Sequence, residues 1–517
     1  MKNKKNLPLL LLILDGWGLG SENKGNPVTL APAKNFFTLF KKYPHSKLYT
    51  YGKNVGLPAG QDGNSEAGHL NIGAGRIVKQ DSTIISDEIK SKKFFKNKAL
   101  KGAMENVKKN NSKLHLMGIV SREMCPHVSK EHILALLQMA RKHKIKHIYL
   151  HVFTDGRDSY CYDGINIVKD LEKHLQNNEK IVTVMGRFYL DRKKKWERTK
   201  IAYEALVNGK GEKAESSGDA ILKSYKRGDS DEFIKPFIIK NGEGSSRIEN
   251  KDSVIFFNLR SDRARQLTKV FVQKEFNKLN PKSFRRSKFL SKLYFVALTD
   301  FGPDLDLHTA YKSFDVSDTL PMVLGDLKQL YTSETEKYAH VTYFFNGGYS
   351  SPVAGEHRVL IPSPNVKTYD LTPAMQAPKL TEMILNNLKK NKYDFTVVNF
   401  AAPDMVGHTG NLKAGIKCCQ IIDGLIAKLS EAYLQKNGTV IITADHGNVE
   451  EMIKIDTGEV DTKHSHSLVP FILINNKLKK AKLKYRGVLG DIAPTILDIL
   501  GRNKPKEMTG KSLILKK

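Results

Sequence analysis

The sequence predicts an α/β protein of two domains, one inserted into the other. Three observations carry that expectation. Short apolar runs alternate with amphipathic, helix-like stretches. At 517 residues the chain is too long for one ordinary core. Candidate metal ligands lie towards both ends of the chain, while arginine-rich segments occupy its middle.

Leu9–Leu14, Phe395–Phe400 and Thr439–Thr443 are short and rich in Leu, Ile, Val and Phe, as strands buried on both faces of a parallel sheet are. Pro378–Asn391 and Ala414–Lys436 read as helices lying between such strands. The apolar run from Leu7 follows Lys2, Lys4 and Lys5 and so imitates a signal peptide. It stops at Asp15-Gly16 with no small-residue cleavage site behind it, and a strand explains it better. A second set fills the middle: Lys113–Val120 and His147–Phe153 as strands, Lys130–Lys144 as the helix joining them, and Ser253–Asn258 and Lys292–Leu298 as further strands.

Composition excludes some classes. No stretch approaches the ~20 apolar residues of a spanning helix. The cysteines Cys125, Cys161, Cys418 and Cys419 form no Cys-x-x-Cys pair, so neither a disulfide framework nor a thiolate zinc site is expected, and a reducing cytoplasm fits. The net charge of +30 would attract nucleic acid, anionic membrane or anionic metabolites without selecting among them. Its lysines are spread along the chain with no nucleic-acid motif, so a solvated basic surface is the simpler account.

The chemistry sits at strand ends. Leu9–Leu14 runs into Asp15, Phe395–Phe400 leads to Asp404 and His408, and Thr439–Thr443 ends at Asp445 and His446. In open parallel sheets such residues converge beyond the carboxyl ends of the strands. Asp404 and His408, four apart, face the same way on a helical turn, and His464 can add a nitrogen. Oxygen and nitrogen donors without thiolate suit Mn²⁺, Zn²⁺ or Co²⁺ better than Ca²⁺. Singly, each residue reads as a turn or a satisfied polar group; six at strand ends are harder to dismiss. Ser65, after Gly63-Asn64, has two readings. It caps a helix by accepting a backbone N–H, or it is a metal-activated nucleophile at a helix start that binds a phosphoryl group.

Taken together, these segments resemble the 2,3-bisphosphoglycerate-independent phosphoglycerate mutases of the alkaline phosphatase superfamily. The likeness is carried by Leu10 through Gly18, Gly56-Leu57-Pro58 through Arg76, Glu334 through Thr342, and Pro403 through Gly410. It implies an alkaline-phosphatase-like parallel-sheet domain over residues 1–79 and 313–517, with a substrate-binding α/β domain inserted over 80–312. It implies two Mn²⁺ (Mg²⁺, Co²⁺ or Zn²⁺ being alternatives), one on Asp404, His408 and His464 and the other on Asp15, Ser65, Asp445 and His446. His466 is then a neighbour. Substrate contacts fall by resemblance to His127, Arg157, Asp158, Arg187, Arg192, Arg260 and Arg263, and Lys337 to the transferring phosphoryl group. Arginine's planar fork suits carboxylate and phosphate.

The implied reaction interconverts 3-phosphoglycerate and 2-phosphoglycerate through phosphoserine on Ser65, with Asp158 as acid and base, in a cytoplasmic monomer needing neither nucleic acid nor membrane. The chain departs from the family in one loop. Where the family has Ser-Asp-Gly-Gly-Val-His-Ser, this sequence reads Ser121 through Ser129, without the glycine pair, with Met124 and Cys125, and with one residue more from Ser121 to His127. Arg187 and Arg192 also stand one residue closer than in the family. Rival readings are a phosphopentomutase or plain phosphatase of the same superfamily, a nucleic-acid-binding protein, and a mutase degenerated at the His127 loop.

Overall fold

The computed structural model describes residues 8–123, 125–240, 246–313 and 316–515; Lys2, Lys4, Lys5, Leu7 and Met124, named above, lie outside them. The chain divides into two compact units, Met1–Gln80 with Phe314–Lys517, and Asp81–Ser313. Sixteen strands occur among the described residues and are numbered here in chain order.

The first unit holds β1 (Leu9–Leu14), β2 (His45–Tyr49), β11 (Gln329–Glu334), β12 (His357–Ile361), β13 (Phe395–Phe400), β14 (Thr439–Thr443), β15 (Val469–Ile474) and β16 (Arg486–Val488). Their order across the sheet is β12-β11-β13-β1-β14-β15-β2-β16. From β12 to β14 all pairings are parallel, whereas β15 runs antiparallel to both β14 and β2. The sheet is therefore mixed rather than wholly parallel. Every residue of β1, β13 and β14 is buried, as strands covered on both faces must be.

The second unit holds β3 (Leu114–Val120), β4 (Ile148–Thr154), β5 (Glu179–Gly186), β6 (Glu212–Ala214), β7 (Phe237–Ile239), β8 (Ser253–Phe256), β9 (Tyr294–Thr299) and β10 (His308–Tyr311). They form a sheet of order β10-β9-β8-β3-β4-β5-β7-β6, antiparallel only between β5 and β7. Each sheet carries its own apolar core.

Most of the expected elements stand with ends moved by a few residues, for local reasons. The helix expected to Lys144 ends at Lys142, because Lys144 takes a left-handed conformation (φ 55°) that closes it. The helix expected over Pro378–Asn391 spans Ala377–Lys389, and Asn391 is left-handed in turn. The strand expected to reach Asn258 stops at Phe256; the Asn258 Oδ1 instead accepts the Ile119 N–H at 2.9 Å. Among the described residues, no helix is long and apolar enough to cross a membrane.

Candidate active site

The parallel neighbours β13, β1 and β14 end in register, so the residues that follow them share one edge of the sheet. Asp15, Asp404, Asp445 and His446 all emerge there, and all are buried. A bridge between Gly447 and Ser465 brings the late loop, with His464, to the same edge.

Ser65 opens the helix Ser65–Ala74, but it is not the cap. Asn64 is, its Oδ1 accepting the Ala67 N–H at 2.9 Å. The capping reading of Ser65 is thereby overturned, and its hydroxyl is left for other partners. Ser65 Oγ lies 2.7 Å from Lys337 Nζ, 2.9 Å from His446 Nε2 and 3.3 Å from Asp15 Oδ1. Lys337 Nζ is also 2.7 Å from both Asp15 Oδ1 and Asp404 Oδ2.

A second group converges beside the first. His408 Nε2 and His464 Nε2 each lie 3.3 Å from Asp404 Oδ1 and 3.2 Å from one another. Their Nδ1 atoms face backbone oxygens at 2.7 Å, those of Thr462 and Gly63, so each ring donates Nδ1–H and turns Nε2 inward. Two donors on one ion at ~2.1 Å, with angles between octahedral and tetrahedral, stand roughly 3.0–3.4 Å apart. The triangle has that spacing. His466 faces elsewhere, its Nε2 2.8 Å from Asp62 Oδ1 and its ring stacked on Tyr51.

The electrostatics ask for cations. Burial and the neighbouring Asp445 carboxylate push Asp15 up to about 7, against the pull of Lys337. Burial also opposes charge on Lys337, but Asp15, Asp404 and Asp445 outweigh it and hold the ammonium above the usual lysine range. Asp404 sits well below the carboxylate range because Lys337, His408 and His464 overcome its burial. Asp445 Oδ2 is buried without a well-formed hydrogen bond among the described residues, although His69 Nδ1 is 3.3 Å away. Three buried carboxylates facing one ammonium, with oxygen and imidazole donors converging, fit divalent metal.

In the second unit the expected substrate residues form a separate cluster. Arg187, 2% exposed, donates through Nη1 to Asp155 Oδ1 and, at 2.5 Å, to Asp158 Oδ2. Its Nη2 donates to His127 Nε2 at 3.0 Å. Burial and Arg187 hold His127 down at about 4, so the ring is neutral and Nδ1 carries its proton. Arg192 Nη1 reaches Asp262 Oδ2 at 2.6 Å, and Arg260 Nε lies 4.0 Å from Asp262 Oδ1. Arg263 Nη1 donates to Leu190 O at 3.3 Å. Arg157 stands apart, more than half exposed, with Glu232 its nearest acid at 3.9 Å. The glycine-poor loop anchors His127 through its carbonyl, which accepts the Leu259 N–H at 2.8 Å. His127 Nδ1, Arg187 Nε and Arg263 Nε are buried with no hydrogen-bond partner among the described residues. Asp262 Oδ1, 3.8 Å from His127 Nδ1, is likewise buried without a hydrogen bond among the described residues, and the unfilled guanidinium N–H groups suit an anion.

The Metalloenzyme superfamily model matches residues 7–504 of the chain. The 2,3-bisphosphoglycerate-independent phosphoglycerate mutase of Clostridium kluyveri is 46% identical over 98% of this chain and 99% of its own. The chain belongs to the 2,3-bisphosphoglycerate-independent phosphoglycerate mutases. The relative of the same name from Moorella thermoacetica is 46% identical over 99% of both chains. Among solved structures, a Leishmania mexicana phosphoglycerate mutase determined at low cobalt concentration superposes with a TM-score of 0.79 at 28% identity, covering 100% of this chain and 99% of that one.

Several residues that the sequence did not mark also meet at this edge of the sheet. His69, one helical turn after Ser65, faces Ser65 O through Nδ1 at 2.9 Å and Asn399 Nδ2 through Nε2 at 3.1 Å. Asn399 Nδ2 also donates to Asp15 Oδ2 at 2.6 Å. Asn448 Nδ2 donates to Asp404 Oδ1 at 2.7 Å. Asn399 had a legible signal, being a polar residue in an otherwise buried strand. His69 and Asn448 had none beyond their place in glycine-bearing motifs.

Proposed function

We propose that the chain interconverts 3-phosphoglycerate and 2-phosphoglycerate through phosphoserine on Ser65, without 2,3-bisphosphoglycerate. On this reading it works in glycolysis and gluconeogenesis, as a cytoplasmic monomer. Two metal positions are assigned, one on Asp404, His408 and His464 and one on Asp15, Ser65, Asp445 and His446, with Mn²⁺ the expected ion. The observation that carries the reading is the freed Ser65 hydroxyl at a helix start, within 2.7–3.3 Å of Lys337 Nζ, His446 Nε2 and Asp15 Oδ1.

When bound, divalent metal supplies charge that lowers the pKa of the serine hydroxyl and offsets negative charge on the phosphoryl oxygens. Ser65 Oγ, its hydroxyl proton given up to solvent, attacks phosphorus; the Oγ–P bond forms as the bond to the 3-oxygen of glycerate breaks, and protonated Asp158 gives its proton to that oxygen. Lys337 steadies the phosphoryl oxygens in transit. The unpartnered N–H groups of His127, Arg187 and Arg263 hold the carboxylate while glycerate turns. Asp158 then takes the proton of the 2-hydroxyl, which recovers the phosphoryl group and frees Ser65. Arg157, Arg192 and Arg260 complete the anion-binding set.

The test supplies purified protein with 3-phosphoglycerate and Mn²⁺, free of bisphosphoglycerate, and follows 2-phosphoglycerate. Turnover that disappears in Ser65→Ala, with phosphate recovered on Ser65 in the quenched wild type, is the expected result. Full turnover by Ser65→Ala sinks the mechanism, and release of inorganic phosphate instead of 2-phosphoglycerate favours a phosphatase.

A further inference from the structure

One buried carboxylate beside the ligand loops has no role in the reaction just described. Glu450 is 1% exposed. Its Oε2 accepts the N–H of Gly18 and that of Asn448, each at 2.9 Å, and its Oε1 accepts the hydroxyl of Ser465. Each donor belongs to a different ligand-bearing segment. Gly18 follows Asp15, Asn448 follows Asp445 and His446, and Ser465 is next to His464. Asn448 extends the connection to Asp404, donating to its Oδ1 at 2.7 Å.

The glycines of these motifs acquire a reason. A Cβ on Gly18 would lie 2.3 Å from Glu450 Cδ, and one on Gly447 would lie 2.5 Å from Glu450 Oε1 and 2.3 Å from Ser465 Oγ. No real Cβ tolerates such distances. Two loops therefore keep bare backbone where the carboxylate seats. A buried carboxylate is costly unless its lone pairs are filled, and three donors fill them here.

We infer that Glu450 is a positioning residue for both metal sites, fixing the spacing of three loops so that Asp15, Asp404, Asp445, His446 and His464 converge. This rests on the ligand assignment proposed above. Gln at this position keeps every bond: its amide oxygen accepts the two backbone N–H groups and its NH₂ donates to Ser465 Oγ. Ala keeps none. Ser465→Ala removes only the tie to the His464 loop.

The test uses metal-free full-length protein titrated with Co²⁺, read by calorimetry and by the visible absorption of the bound ion, with metal-free thermal unfolding alongside. Glu450→Ala should weaken Co²⁺ binding ~10–100-fold and alter the absorption, as losses of ligand-orienting partners do. Glu450→Gln should restore both. Ser465→Ala should weaken one binding step and spare the other, which a general loss of stability would not do; it also serves if Glu450→Ala does not fold. Wild-type affinity and spectrum in Ser465→Ala and in a folded Glu450→Ala overturn the inference. So does a Glu450→Gln as impaired as Glu450→Ala. Wild type that binds no Co²⁺ instead overturns the ligand assignment, and the inference with it.

Discussion

The two clusters are built on opposite plans. Around Ser65 the side chains leave the ends of parallel strands, whose register fixes their spacing, and three buried carboxylates face a single ammonium. Around Arg187 the side chains come from loops after β3, β4 and β5 and from the helix Ser261–Val272, and the guanidinium groups are partly neutralised by Asp155, Asp158 and Asp262. The first cluster is short of positive charge; the second has paired its charges but left N–H groups unfilled. What a site leaves unsatisfied indicates its ligand: cations for one, an anion for the other.

That contrast can be broken experimentally. The largest effect should come from metal removal: a chelator should abolish turnover and Mn²⁺ restore it, and turnover that persists through exhaustive chelation would remove the need for cations. Ser65→Ala should lower kcat at least ~10⁴-fold, as loss of a covalent nucleophile does. In the second cluster, Arg187→Ala strands buried Asp155 and should lower kcat/KM ~10²–10³-fold, equivalent to ~3–4 kcal/mol. Arg187→Lys should recover little, because one ammonium cannot serve both aspartates and His127.

Acidification should act on both units, since burial also lowers His340 and His446 in the first. Burial holds His127 and His132 near 4, below the ordinary 6.5. The unfolded chain therefore takes up protons that the folded chain refuses between about 6.5 and 4, so stability falls as pH falls through that window, by roughly 2–3 kcal/mol per group. Denaturant titrations at pH 7 and 4.5 measure the loss, and His132→Gln should shrink it. The smallest effect is expected from Arg157→Ala, no more than about fivefold in KM, given its exposure and loose pairing. An effect matching that of Arg187→Ala would show that the loop rearranges around substrate.

The same contrast explains what the sequence made legible. Asp15, Asp404 and Asp445 announce themselves because each follows an apolar run too short and too buried to be anything but an inner strand. Arg187 and His127 give no such sign; their neighbours are loops, and only the family likeness marked them. Ser65 was ambiguous because capping and catalysis both place a serine at a helix start, and the choice turned on Asn64, whose side chain occupies the cap. Glu450 was silent for another reason. Its partners are two backbone N–H groups and a serine hydroxyl, contacts that no residue pattern encodes.

The seat of β1 between β13 and β14 has a consequence for how the chain is made. Its six residues, Leu-Leu-Leu-Leu-Ile-Leu, are translated about four hundred residues before the strands that cover its two edges. At ~5–20 residues per second that interval lasts tens of seconds. Throughout it the most apolar strand of the molecule has two open edges, an invitation to pair with another nascent chain. Asp81–Ser313, contiguous in sequence, needs nothing from the C-terminal segment for its own sheet. It can close first, while β1 waits for β13 and β14.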